Sequence, residues 1–219
     1  MNAVVELQPL GRVERKKRDK ADRITRVARR LFARQGFEAT TMREIAVAAD
    51  IGHGTLFLYA AKKEDILVMI FQDEVVQAVD AAIATIPRRP LLDQVLHVLG
   101  AITGHHERHR ALARVFVKEL PFVDDARHGV AVFMTNLLGH MTTLITAAQS
   151  AGEIAPTVPP LLLARNLFGL YFSHLQRWLG HEPCTPEQRD RELREILDLQ
   201  LAGLRPKRRR HAGSARKES

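Results

Sequence analysis

Histidine is the residue of this 219-residue chain whose spacing first suggests chemistry. His105 and His109 stand four residues apart, which places two imidazoles on one face of a helix, as in metal-binding pairs. No third or fourth ligand is evident near them, so a helix end carrying exposed imidazoles, His106 included, is the simpler interpretation. The sequence therefore predicts no metal site and no cofactor, with a metal sensor as the alternative.

Catalytic motifs of other kinds are not found in the sequence. Cys184, the single cysteine, lies in a linker between Pro183 and Pro186, which is a poor setting for a nucleophile. Gly52-His53-Gly54 is too short for a phosphate-binding loop and follows no predicted strand, and there is no Gly-x-Ser-x-Gly turn. These observations favour a protein that binds over an enzyme.

Basic charge is concentrated at the two ends of the chain, whose net charge is +8. Residues 1–20 carry six basic and three acidic side chains, and residues 205–219 carry seven and one. Basic ends favour an anionic polymer, most simply nucleic acid, although solvated tails have the same composition. The longest uncharged run, residues 129–152, contains too many polar groups for a lipid-facing span, so we expect no membrane partner.

Helical periodicity runs through nearly every segment between residues 19 and 204, which predicts an all-α protein of about nine helices. A first helix carries an apolar stripe and ends at Gly36. Thr41 and Glu44 form a capping box that begins a second helix. Thr185 and Gln188 form another before the last helix.

Three helices between residues 21 and 60, with a sharp turn between the last two, form a helix-turn-helix pattern. In that arrangement the second helix braces across the phosphate backbone and the third enters the major groove. The small residues Gly52, Gly54 and Thr55 would let the third helix approach DNA closely. An apolar three-helix packing that binds nothing could imitate the pattern.

The same segment resembles the TetR (tetracycline-repressor) family over about residues 21–67. The resemblance is carried by TTMREIA at 40–46, ADI at 49–51, GTLFLY at 54–59 and KEDIL at 63–67. With the charge distribution, it implies a flexible basic arm at 1–18, a helix-turn-helix DNA-binding domain at 19–67, a larger helical ligand-binding and dimerisation domain at 68–204 and a disordered basic tail at 205–219.

The resemblance implies a cytoplasmic, ligand-responsive repressor that acts as a homodimer on a palindromic double-stranded operator and is not an enzyme. A cytoplasmic setting also fits the single cysteine. The residues that it places on DNA are Thr41, Arg43, His53, Gly54, Thr55, Leu56, Tyr59 and Lys63. A non-specific architectural DNA-binding protein is the alternative, because a basic tail alone attracts DNA.

A helix over residues 127–151 is uncharged even on the face opposite its apolar stripe, so we expect it to be central and enclosed. In TetR-like proteins the helix at this place lines the effector cavity, which implies a mainly apolar pocket for a small molecule. A dry packed core is the alternative for each lining residue. The predicted lining residues are Leu99, Ile102, Phe116, Phe133, Asn136, Leu137, His140, Met141, Leu144, Phe168, Phe172, His174 and Trp178.

Apolar stripes also mark the last two predicted helices, at residues 161–179 and 193–204. Two such helices from each of two chains would form a four-helix dimer interface. A dimer also meets the need for two half-sites about 34–36 Å apart on the DNA.

Overall fold

The computed structural model describes residues 11–122, 130–180 and 184–206. Within those ranges the protein is all-α and contains no strand, which confirms the predicted fold class. The first ten residues of the predicted arm and the tail after residue 206 lie outside the described residues. The nine α-helices of the described ranges are α1 (Arg12–Gln35), α2 (Met42–Ala48), α3 (His53–Phe57), α4 (Lys63–Ala84), α5 (Leu91–Arg108), α6 (Arg110–Glu119), α7 (Val130–Ser150), α8 (Pro160–Gly180) and α9 (Pro186–Ala202).

Helix α1 begins at Arg12, so the prediction of a flexible arm was wrong for residues 12–18. This segment consists mostly of long, unbranched side chains with good helix propensity, and Glu14 precedes Arg18 at the spacing of a favourable helix pair. Charges of mixed sign therefore support an exposed helix here. The predicted end at Gly36 is confirmed: φ is +86° and the glycine N–H donates to the Phe32 carbonyl.

The helices α1, α2 and α3 each contribute a fully buried side chain to the core of the helix-turn-helix, namely Ile24, Ile45 and Leu56. The predicted capping box of α2 is confirmed. The Thr41 hydroxyl accepts from the Glu44 N–H at 3.2 Å, and the Glu44 carboxylate accepts from the Thr41 N–H at 2.8 Å. The start of α2 is therefore fixed by local contacts.

The start of α4 is held by a carboxylate from its own first turn. Asp65 Oδ2 accepts from the backbone N–H groups of Ala61 and Lys62, at 2.8 and 3.1 Å. The Lys62 ammonium in turn donates to the Glu119 carboxylate at 2.6 Å. These bonds fix the position at which α4 follows α3.

The chain divides into two compact units. The first comprises residues up to Ala78 together with Ile102–Phe133, and the second comprises Val79–Ala101 together with the residues from Met134 onward. The three division points fall inside the helices α4, α5 and α7, and none lies at residue 67, where the sequence places the end of the DNA-binding domain.

The apolar stripe of α7 belongs to the core of the second unit, and its Leu137, Met141 and Ile145 are almost fully buried. The opposite face of α7 is exposed, so the expectation that this helix is enclosed on most sides is wrong for the single chain. Helix α9 packs on α8. The capping box predicted at its start is confirmed, because the Thr185 hydroxyl accepts from the Gln188 N–H and the Gln188 side chain accepts from the Thr185 N–H.

Candidate DNA-binding site

The beginning of α2 presents one hydroxyl and one guanidinium. The Thr41 hydroxyl already accepts from the Glu44 N–H and donates to Glu44 Oε2 at 2.9 Å. Hydrogen bonds from Thr41, the backbone one first, lower the pKa of the Glu44 carboxyl, so the cap keeps its charge. Arg43 is exposed and forms no ion pair with another described residue. Its fork of donors is therefore available to a phosphate.

The beginning of α3 is almost bare backbone. Gly52, His53 and Gly54 are all exposed. A Cβ placed on Gly54 would meet no heavy atom within 4 Å, and one on Gly52 would meet only the Thr55 hydroxyl, at 3.8 Å. Neither glycine has a positive φ, so the fold does not require glycine at either position. Their lack of side chains suits a surface that another backbone approaches closely.

Three predicted contacts on α3 and the turn after it, His53, Thr55 and Tyr59, are compatible with DNA binding, and a fourth is corrected. The His53 ring packs edge-on against Phe57, with centroids 4.8 Å apart, while Thr55 and Tyr59 are half-buried. Leu56 is fully buried. Its side chain holds α3 on the core and cannot contact DNA, so the prediction was wrong for Leu56.

Lys63 is held by the loop between α1 and α2. Its ammonium donates to the carbonyls of Phe37 and Glu38, at 2.8 and 3.0 Å, and lies 4.5 Å from the centroid of the Phe37 ring. Only one of its three donors is left for a phosphate. The geometry therefore gives Lys63 a positioning role, in which it ties the start of α4 to this loop.

We expect Lys63→Ala to lower the free energy of unfolding by about 1–3 kcal/mol, because two carbonyls lose a charged donor. Urea denaturation of the two proteins measures the difference. Arg43→Ala is the matched control, and its free energy of unfolding should lie within about 0.5 kcal/mol of that of the unchanged protein because Arg43 is exposed. Unchanged stability in Lys63→Ala, with a weaker salt dependence of DNA binding, would contradict the positioning role.

Sequence reasoning missed two residues of α1 that position the helix-turn-helix. Arg23 donates to the Asp50 carbonyl at 3.4 Å, at the turn where φ of Asp50 is +51°. Gln35 donates to the Glu44 carboxylate at 3.3 Å. Periodicity places Gln35 in line with the apolar stripe of α1 and Arg23 beside that stripe, and it gives no sign of their partners.

The predicted effector residues do not all belong to one compact unit: Ile102, Phe116 and Phe133 are in the first and the other ten in the second. Asn136 and His140 are exposed, so the prediction that they line an enclosed cavity is wrong for the single chain. The remaining apolar members of the second unit are buried or half-buried, as a pocket or a packed core requires: Leu99, Leu137, Met141, Leu144, Phe168 and Phe172.

His174 and Trp178, which were predicted to line an effector pocket, contact α9. The Nε2 of His174 lies 3.1 Å from the Arg189 carbonyl and donates to it in the fitting tautomer. The Arg189 guanidinium lies 4.8 Å from the centroid of the Trp178 ring. Both side chains therefore serve the packing of α8 on α9.

Acidification should destabilise the protein partly through His174. Burial lowers the pKa of this imidazole, and the Arg177 cation acts in the same direction, against the Glu192 carboxylate. Above about pH 6.5 the imidazole is neutral in both the folded and the unfolded protein. As the pH falls below this value, the unfolded chain takes up a proton before the folded protein does. The free energy of unfolding therefore decreases until the pH reaches the lowered pKa of the folded protein. Unfolding free energies at about pH 7.5 and 5.5 should differ less in His174→Gln, which keeps a donor. An equal difference in both proteins would contradict this.

The interpretation of exposed imidazoles at the end of α5 was wrong for two of the three histidines. His105 and His106 are 3% and 1% exposed. Burial lowers the pKa of His106 to about 3. Burial also lowers the pKa of His105, against the hydrogen bond with Glu74 that raises it. His109, just before α6, is exposed.

The comparisons with known proteins agree with a helix-turn-helix DNA-binding domain at the start of the chain. Residues 24–70 match the family described as bacterial regulatory proteins, tetR family. The chain is 25% identical over 190 residues to the HTH-type transcriptional repressor KstR of Rhodococcus jostii. The aligned region covers 86% of this chain and 87% of that protein. It is 23% identical over 174 residues to the fatty acid metabolism regulator protein of Bacillus subtilis, covering 77% and 88%.

Solved structures extend the likeness to the fold of the described residues. The Thermus thermophilus repressor FadR, solved in complex with lauroyl-CoA, superposes with a TM-score of 0.66 at 26% identity, covering 85% of this chain and 96% of that one. Fold and site thus define a helix-turn-helix DNA-binding protein with a helical C-terminal region. Residues 24–70 are a DNA-binding domain of the tetR type, and over most of its length the chain is similar to transcriptional regulators of that family.

Proposed function

We propose that this protein is a cytoplasmic homodimeric repressor that binds a palindromic operator through α2 and α3 and releases it when a mainly apolar effector binds. The observation that carries the proposal is the exposed, nearly bare start of α3, from Gly52 to Gly54. The likeness to proteins named as transcriptional repressors supports the same conclusion.

An uncharged exposed face of α8 supports the homodimer. Its members follow helical spacing, and the leucine among them is 57% exposed although it is large and apolar. Covering this face with the same face of a second chain removes apolar surface from water and lets two helices approach closely at the glycine. The members are Leu162, Asn166, Gly169, Ser173 and Gln176.

The proposed effector is mainly apolar because α7 carries no charged Asp, Glu, Lys or Arg side chain along its length. Among the described residues α7 is also the one helix long and apolar enough to cross a membrane, and only 17% of that apolar stretch is buried inside the chain. Thermus FadR is solved with lauroyl-CoA. Fatty acyl thioesters are therefore the first class of effector to test.

A gel shift on the DNA upstream of the gene for this protein tests the proposal, at physiological salt and with excess non-specific competitor. The expected result is a discrete complex that survives the competitor and is released by lauroyl-CoA but not by coenzyme A alone. A smear that the competitor removes would instead favour the non-specific architectural protein. A specific complex that apolar ligands leave intact would contradict the effector proposal.

Arg43→Ala should weaken DNA binding to a similar degree on all sequences, because a guanidinium at the start of α2 positions the protein on phosphate. The slope of log affinity against log salt concentration should become about one unit shallower. Fluorescence anisotropy at several salt concentrations measures the slope. A change in sequence preference with an unchanged slope would assign Arg43 to base recognition instead.

A further inference from the structure

Three metal-ligating side chains converge at the end of α5, within the first compact unit. They are Glu74 of α4, His105 of α5 and His109 just before α6, and one ligand atom of each lies within 4.8 Å of the other two. His105 Nε2 is 2.6 Å from Glu74 Oε2, and the rings of His105 and His109 have centroids 5.7 Å apart. The three side chains border an open cleft of about 410 Å³, through which ions can enter from solvent.

We propose that Glu74, His105 and His109 bind one divalent transition-metal ion of the Zn²⁺ type. Two imidazole nitrogens and one carboxylate oxygen are a donor set that Zn²⁺ and its neighbours in the first transition row accept. Mg²⁺ and Ca²⁺ prefer oxygen ligands and are disfavoured. Three protein ligands leave a fourth tetrahedral position for water or a small ligand.

The distances require small side-chain movements. Bonds of about 2.0–2.2 Å to a tetrahedral ion place ligand atoms about 3.4 Å apart. The hydrogen bond between Glu74 and His105 therefore opens slightly as the ion replaces the shared proton. The exposed His109 ring turns inward to complete the set. His105 then carries its ring hydrogen on Nδ1, which lies 3.5 Å from Nδ1 of His106.

Neighbouring groups hold the ligands in place. Glu74 Oε1 pairs with the Arg29 guanidinium at 2.5 Å, which leaves Oε2 for the ion. The Phe71 ring packs edge-on against both His105 and His109, with centroids 5.1 and 6.4 Å apart. Such partners orient the metal ligands, whereas the positive charges of Arg29 and Arg108 oppose the binding of a dication.

The site would also connect metal binding to the DNA-binding helices. Arg29 belongs to α1, so an ion on Glu74 weakens the charge that holds Arg29. This consequence rests on the proposed function, but the binding test below uses no DNA. A failure of metal binding overturns the site and leaves the proposed repressor intact.

Calorimetric titration of the full-length, tag-free, chelator-treated protein with ZnCl₂ tests the site. We expect one ion per chain, and Co²⁺ at the same site should give the visible absorption of a four-coordinate ion. His109→Ala and Glu74→Gln should each weaken Zn²⁺ binding by about tenfold or more. Mg²⁺ in excess should not displace Zn²⁺.

The matched control is His140→Ala, which removes an exposed histidine of α7 outside the cluster and should leave Zn²⁺ binding unchanged. Helix content by circular dichroism separates loss of ligand from loss of fold, and His109→Ala is the variant least able to disturb packing because His109 is exposed. Absence of stoichiometric Zn²⁺ binding, or equal affinity in the unchanged protein and folded His109→Ala, would overturn the site.

Discussion

Gly54→Gln should weaken operator binding by at least about 100-fold, because a side chain at the exposed start of α3 keeps the helix from the DNA and costs contacts worth about 3 kcal/mol. The stability of the folded protein should not decrease. A Cβ at position 54 meets nothing within 4 Å, and replacing a helical glycine removes backbone freedom from the unfolded chain. Anisotropy on operator DNA and urea denaturation measure the two effects.

Gly100→Gln is the matched control for that substitution. Gly100 is an exposed glycine of α5, and a Cβ there also meets nothing within 4 Å. The control should gain similar stability and bind DNA normally. Normal DNA binding by Gly54→Gln would mean that the start of α3 does not lie against DNA.

Gly169→Arg should convert the proposed dimer into monomers and reduce operator affinity by more than about 100-fold, because one chain would occupy only one half-site. Gly169 lies at the middle of the uncharged exposed face of α8, and an added Cβ meets nothing inside the chain. The arginine should therefore leave the fold of the chain intact and disrupt only an interface with another molecule. Light scattering after size-exclusion chromatography measures the mass.

Asp80→Arg controls for added positive charge, since Asp80 is an exposed residue of α4 outside that face. It should remain dimeric. A dimeric Gly169→Arg protein with full operator affinity would place the interface elsewhere.

Features with local causes could be predicted from the sequence. The capping boxes at Thr41 and Thr185 and the glycine end of α1 depend on residues within four positions of one another, and all three are confirmed. The start of α1 was missed because a run of charged residues suits both a solvated arm and an exposed helix. The sequence alone does not decide between these.

Features that depend on distant residues could not be predicted. Glu74 lies 31 residues before its partner His105, so the sequence gives no sign that it is a third candidate ligand beside the histidine pair. Only the packing of α4 against α5 brings these side chains together. Leu56 belongs to the motif that resembles the TetR family, but a motif contains core residues as well as DNA contacts. An apolar stripe likewise does not say what covers it, so the contacts of His174 and Trp178 with α9 could not be predicted.

Selection of bound duplexes from a random-sequence DNA library most directly tests the claim that this protein recognises a palindromic operator. It needs no assumption about where the operator lies. We expect enrichment of one palindromic motif with half-sites about one helical turn apart, bound at least about 10³-fold more tightly than unselected DNA. Retention of library DNA without any enriched motif would contradict specific recognition.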